Sequence, residues 1–357
     1  SDWQFPIGLT NAVIYPYSTS IIFTDSIPIF AIFFKFFLAF TNTPFQYFGF
    51  WGLVCFILQG VLSASILKRY TDPVYACLGS VIFVFPPIIL FRMFAHTALA
   101  AQWIILIFIH IFAYFDCSKY TLKKIVIQFS SLGALAVSIH MYFVGICGVL
   151  ICSFALYLFL KVKDLFKALI SVISYVISAL LCFVILGGFQ HGGSGGFEEG
   201  YGYYSFNLIN LWSPYSFSKF LPNFSDYTGG QYEGIAYLGF GVLLGIVFIF
   251  IANSLKRAKN NIDESPNDYY LALVIWTSVL FLIVFSCSNV ITFSNTLVYE
   301  YYLPEFVKKI LSIFRCTGRF IWPVVYIIMF WLLVQVFKFK RVLKYFLSVA
   351  NYESISQ

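Results

Sequence analysis

The sequence predicts an all-α integral membrane protein: a polytopic helical bundle of about nine transmembrane helices, with a short interfacial helix in its first outer loop. Three observations carry that prediction. Of 357 residues, 61% are hydrophobic and 10% charged, whereas soluble domains run at about 45–50% apolar and about 25% charged. The mean hydropathy is +0.87. Apolar runs of 17 or more residues recur along the chain, and a helix crosses lipid because it satisfies its own backbone groups.

Uninterrupted apolar stretches bounded by charge place the spans at residues 46–67, 74–91, 98–115, 125–139, 144–160, 168–187, 236–252, 270–287 and 321–337. The 36 residues from Ile125 to Leu160 would make a straight helix about 54 Å long, too long for a hydrocarbon core of ~30 Å. They therefore split into two helices turning near His140–Gly145, with lysines at both outer ends as a hairpin requires. Residues 27–40 are too few to span and begin with Pro28, which suits a first helical turn. They read as the interfacial helix, with Lys35 reaching the headgroups. No soluble module is attached, so residues 1–357 form one domain.

The loops distribute charge unevenly. Fifteen of the 22 Lys and Arg residues fall in one set of loops and seven in the other. By the positive-inside bias the first set is cytoplasmic. The outer side then holds the three longest polar segments, 1–45, 188–235 and 288–320, and function is expected there. Because the N-terminus lands outside with no signal peptide or start methionine, a preceding helix is expected. The basic residues punctuate apolar runs instead of clustering on an aromatic soluble face, which speaks against nucleic acid despite the net charge of +7. The eight cysteines show no CxxC pair and read as packing residues, neither a zinc site nor a disulfide framework.

Candidate site residues lie in the outer segments. Asp25 precedes the interfacial helix, where it reads either as a helix cap or as a general base or metal-binding carboxylate below a substrate cavity. The segment from Gly187 to Gly202 carries eight glycines in sixteen residues but no GxxxxGK, so it is no phosphate-binding loop. It reads either as a flexible connector or as a lid bringing His191, Glu198 and Glu199 to the reacting groups. Tyr203 and Tyr204 follow it, and Gln231 and Glu233 lie before a span, where Glu233 also suits the positive end of a helix.

Arg92 and His96 are four apart, as are Arg315 and Arg319, so each pair is expected to line one helical face at the outer interface. Arginine stays charged and grips phosphate oxygens bidentately, which suits a lipid phosphate; the alternative is headgroup snorkelling. His140 at the hairpin turn is a weaker candidate, since a lone membrane histidine more often bonds between helices.

Several stretches taken together are familiar: Pro6-Ile-Gly, Phe23-Thr-Asp-Ser-Ile-Pro, Phe45-Gln-Tyr-Phe-Gly, Arg92-Met-Phe-Ala-His, Ile139-His-Met-Tyr, Tyr203-Tyr-Ser-Phe-Asn-Leu, Gly230-Gln-Tyr-Glu-Gly and Phe314-Arg-Cys-Thr-Gly-Arg-Phe. They resemble a family of bacterial polytopic membrane proteins of uncharacterised function that look like GT-C glycosyltransferases. The resemblance implies a GT-C-like fold in the bacterial cytoplasmic (inner) membrane. It also implies a polyprenyl-phosphate sugar donor, a carboxylate in the first outer loop and a divalent metal such as Mg or Mn. By position it implicates Asp25, although the first helix and any acidic motif directly after it are absent from this chain.

The expected function is inverting transfer of a sugar from that lipid-linked donor to a glycan or other envelope acceptor at the outer face. A carboxylate deprotonates the acceptor while arginines or a metal steady the departing phosphate. The alternative is a transporter or flippase, or a non-catalytic binding component, for lipid-linked glycans. Transporters bury ionisable residues at mid-membrane beside broken helices, and no Asp, Glu, Lys or Arg falls within the nine spans. That favours chemistry at the surface.

Overall fold

The structure, a computed structural model, describes residues 3–41, 45–190, 200–259 and 268–355. A hairpin of β1 (Leu9–Ile14) and β2 (Tyr17–Ser20) opens the chain, with Leu9 opposite Ser20. Then come α1 (Pro28–Thr41), α2 (Phe48–Leu67), α3 (Pro73–Val84), α4 (Pro87–Ala95), α5 (Trp103–Ala113) and α6 (Leu122–Ile139). They are followed by α7 (Met141–Val162), α8 (Leu165–Ile185), α9 (Phe240–Lys259) and α10 (Tyr269–Cys287). A second hairpin, β3 (Val290–Phe293) with β4 (Thr296–Glu300), precedes the short α11 (Glu305–Leu311) and the long α12 (Trp322–Ile355).

Local chemistry sets the helix starts. Proline occupies the first turn of α3 and α4, where its missing N–H is no loss. Thr121, His140, Asp164 and Asp268 each accept a backbone N–H at the N-terminus of α6, α7, α8 and α10. The predicted turn in the long apolar stretch falls at His140, the single residue between α6 and α7.

Among the described residues, six helices are long and apolar enough to cross a membrane: α2, α6, α7, α8, α10 and Thr317–Phe339, most of which lies in α12. All nine predicted spans coincide with helical segments, but three do not meet that standard as single straight helices. The 74–91 span is α3 plus α4, bent by 46° at the Phe85–Pro86 break, where proline cannot continue the hydrogen-bond ladder. The other two are the shorter apolar helices Thr97–Ala113 and Phe240–Ser254. The all-α expectation is corrected by the two hairpins. One opens the chain ahead of α1 and the other lies between α10 and α11, where β-branched and aromatic runs such as Thr296-Leu-Val-Tyr pair across tight turns.

The long connecting segments gather at one end of the bundle. Ser20 Oγ donates to the Leu186 carbonyl at 2.6 Å, the Phe206 amide to Ser286 O at 2.8 Å and the Gly318 amide to Tyr204 O at 3.1 Å. Below them α12 runs into the core, where the Phe83 and Phe330 rings stack at 4.1 Å.

One close approach sets the geometry of this end. The turn Gln231–Gly234 lies against the turn Thr317–Ile321, and a Cβ on Gly318 would sit 2.7 Å from Gly234 Cα. Only glycine permits that spacing. Gly318→Ala is expected to cost about 1–3 kcal/mol through overpacking, read as a lowered Tm in detergent. Gly148→Ala, with nothing within 4 Å of the new methyl group, should leave Tm unchanged.

Candidate functional site

At the loop-rich end, side chains from five segments converge on two carboxylates. Glu233, brought in by the turn pressed against Gly318, is 3% exposed and faces two arginines. Arg92 from α4 places Nη2 2.8 Å from Glu233 Oε2 and donates from the same nitrogen to the Glu233 backbone carbonyl at 2.9 Å. Arg319, from the turn before α12, donates from Nε to Oε2 at 2.9 Å, with Nη2 at the same distance. Burial alone would raise the Glu233 pKa, but the two guanidinium groups outweigh it and hold the carboxyl below its usual range.

Aromatic rings complete the arginine cages. The Arg92 guanidinium lies 5.1 Å from the Phe91 ring and 5.3 Å from Trp322. Arg319 lies 4.2 Å over Tyr142. Such ring faces attract a desolvated cation, which matters because Arg92 Nε and Nη1 are buried without a hydrogen-bond partner.

Beside this cluster lies Asp25. Its Oδ2 is 2.6 Å from His96 Nδ1, and both side chains are partly open to solvent, 34% and 39% exposed. An ionised carboxylate only accepts, so the imidazole proton sits on Nδ1. Burial raises the Asp25 pKa, but the His96 hydrogen bond, with the charges of His96, His140 and Arg319, holds it below the usual carboxylate range. His96 Nε2 faces Glu233 Oε1 at 3.7 Å, so this ring links the two carboxylates.

His140 completes the group. Its Nδ1 accepts the Tyr142 amide at 3.2 Å, capping α7, so a neutral ring carries its proton on Nε2, 3.9 Å from Asp25 Oδ1. Burial, and then the charge of Arg319, push the His140 pKa down to about 3.

The expected site residues therefore separate. Asp25, Arg92, His96, His140, Glu233 and Arg319 come together. Asp25 pairs with His96 instead of serving as a simple cap. Arg92 and Arg319 do not line an outer interface for a lipid phosphate: burial and the shared Glu233 carboxylate occupy them. Arg92 and His96 do share one site, because the His96 amide closes the last turn of α4 on the Arg92 carbonyl at 3.0 Å and both side chains face Glu233, whereas Arg315 and Arg319 separate because they sit on irregular turns. Arg315 is the exposed member of its pair, 5.9 Å from the Tyr204 ring.

Gln231 is corrected from ligand binder to brace. Fully buried, it donates to Ser205 Oγ and Thr292 Oγ1 at 3.2 and 2.7 Å, and accepts from Asn207 Nδ2 and the Tyr227 amide at 2.9 and 3.0 Å. These bonds tie the Glu233 turn to β3 and to the 205–210 segment. Tyr203 and Tyr204 pack over Gly230. His191, Glu198 and Glu199 lie outside the described residues. Sequence reasoning missed Asn207 and Tyr142, whose hydroxyl accepts the Cys316 amide at 2.9 Å. Tyr142 lies in the quoted Ile139-His-Met-Tyr run, two residues from His140.

The described donors do not suit Mg or Mn, which want several carboxylate or water oxygens. Glu233 is saturated by arginines, Asp25 holds His96, and both guanidiniums oppose a further cation. Among the described residues no three His, Cys, Asp or Glu side chains converge in a ligand set.

Among the described residues, six helices able to cross a membrane, capped at one end by a buried Arg–Glu–Arg cluster and a half-exposed His–Asp pair, define a polytopic helical membrane protein with a polar site at the end of its bundle. The chain belongs to the family described as a domain of unknown function, DUF6311, whose model matches residues 1–351. Comparison with curated proteins and with solved structures finds no match.

Glu233→Gln removes one charge and leaves two buried cations without a counter-ion. A loss of about 3–5 kcal/mol is expected, measured as unfolding in detergent, while Glu300→Gln on the exposed β4 should change Tm little.

Acid should weaken the fold in two steps. The unfolded histidine takes its proton near pH 6.5, whereas native His140 resists to about 3. Its contribution is thus complete above pH 6.5 and is lost as pH falls, at a limiting slope of about 1.4 kcal/mol per pH unit. Asp25 and Glu233, both lowered, add their losses only below the unfolded carboxylate range near pH 4. His140→Asn, which can still cap α7, should flatten Tm between pH 6.5 and 5 and leave the steeper loss below it.

Proposed function

We propose that this protein is a GT-C-like inverting glycosyltransferase of the bacterial cytoplasmic membrane. It transfers a sugar from a polyprenyl-phosphate donor to a glycan or other envelope acceptor at the outer face. The observation that supports this reading best is the His96–Asp25 pair, 2.6 Å apart and partly open to solvent at the end of an apolar bundle. The uneven basic split between the loops supports placing that end outside.

In this reading the acceptor hydroxyl passes its proton to the His96–Asp25 pair as its oxygen attacks the anomeric carbon, and the bond from that carbon to the phosphate oxygen breaks. The leaving phosphate keeps the bonding electrons. Arg315, exposed and resting against Tyr204, is the cation available to meet it. Arg92 and Arg319 act at one remove, holding Glu233 ionised beside His96.

A specific observation favours a transport reading as second choice: α3 and α4 form a bent span, and its second half carries the buried Arg92. Broken helices around buried ionisable groups are common at transporter sites.

The test is transfer of radiolabelled sugar from a synthetic polyprenyl-phosphate donor to membrane acceptors by the full chain in nanodiscs. Asp25→Asn and His96→Gln should each reduce transfer at least ~100-fold with little change in Tm. Arg315→Gln should weaken donor affinity by about 1.5–3 kcal/mol, with Arg315→Lys restoring part of it. Normal transfer by Asp25→Asn would remove the dyad from the chemistry. Donor movement across the bilayer without sugar transfer would select the transport reading.

A further inference from the structure

A deep groove runs along the bundle between α9 and α10, with α12 as its back wall. Its volume is about 1090 Å³. Leu243 and Val247 of α9 face it from one side, and α10 lines it from Leu271 to Ile283. Trp212, Leu221 and Phe224 roof the loop-rich end, while Tyr70 stands near the opposite end, just beyond α2. Nothing ionisable below neutral pH and no lysine or arginine lines it.

Dimensions and chemistry narrow the occupant. The α10 wall covers twelve steps, about 18 Å at ~1.5 Å each. Ordered water needs two to four polar partners, and the apolar walls do not supply them. Hydrocarbon chains need none.

The position argues for a bilayer lipid. The groove shares no lining residue with the Asp25–His96–Glu233 cluster. Charge lies at the other end, where exposed Lys68 and Arg69 immediately precede Tyr70, and Arg69 lies 5.5 Å from the Tyr114 ring. Lys and Arg next to an apolar slot suit an anionic headgroup.

From these observations we propose that the groove holds the acyl chains of a resident anionic phospholipid whose headgroup meets Lys68 and Arg69. The site is independent of the glycosyl-transfer reading and stands or falls apart from it.

The experiment uses the full chain in nanodiscs of mixed phosphatidylglycerol and phosphatidylcholine, followed by mild detergent extraction and native mass spectrometry. The wild-type protein should retain phosphatidylglycerol. Val279→Trp, which fills the α10 side, should reduce occupancy at least tenfold, and the double change Lys68→Gln with Arg69→Gln should abolish the preference over phosphatidylcholine. A phosphatidylglycerol with a photoreactive acyl chain gives a readout on the unmodified protein: crosslinks should concentrate on α9 and α10 peptides. Even labelling of all lipid-facing helices, equal retention by a folded Val279→Trp, displacement by polyprenyl phosphate, or a dimer sealed through this face would each overturn the proposal.

Discussion

The buried Glu233 carboxylate, held between Arg92 and Arg319, is the constraint on which the loop-rich end depends. Its three members come from α4, from the turn at 231–234 and from the turn before α12. These segments are far apart in sequence, so the cluster fixes how the loops sit on the bundle. Taking charges out of water is costly, and attraction repays it only when geometry and additional hydrogen bonds are good. Here the Glu233 carbonyl takes a further Arg92 proton, and three aromatic rings cover the guanidinium faces. The close Gly234–Gly318 contact and the Gln231 network bring the carboxylate to that place.

The same cluster sets the field felt by the open part of the site. Arg319 adds to the His96 contacts that lower the pKa of Asp25 and to the burial that lowers that of His140. One carboxylate is thereby kept ionised and one imidazole neutral within 3.9 Å of each other. Environments that push titratable neighbours apart mark candidate acid–base sites, although structural ion-pair networks do so as well. What distinguishes this one is access. The charges that set the field are buried, while Asp25 and His96 remain partly open to solvent.

Much of the bundle was legible in the sequence because lipid imposes long apolar runs, and the break at His140 followed from length alone. The place of the helix bend was legible, but its angle was not. The Pro86-Pro87 pair signals a break, but its angle depends on the neighbours α4 meets. Six of the candidate residues come together in space, and helical spacing holds for Arg92 and His96, but it fails for Arg315 and Arg319, where irregular backbone intervenes. Gln231 shows the limit most clearly. A polar side chain in an outer segment reads as a ligand for substrate, and only the folded positions of Asn207, Ser205 and Thr292 show it saturated by its own chain.

The ion cluster also bears on whether this end moves. Alternating access that moved α4 against the loops or against α12 would separate Arg92 or Arg319 from Glu233. Breaking a buried pair without replacing its partner costs about 3–5 kcal/mol, enough to hold a separated state near one part in a hundred or rarer unless a ligand binds it far more tightly. Such a ligand would need negative charge for the freed arginine and positive charge for the freed carboxylate at once. A phosphate supplies only the first. A fixed cluster with an exposed dyad at its edge, by contrast, can act on a substrate without any such separation, and this difference in cost is the physical reason to prefer surface chemistry over transport.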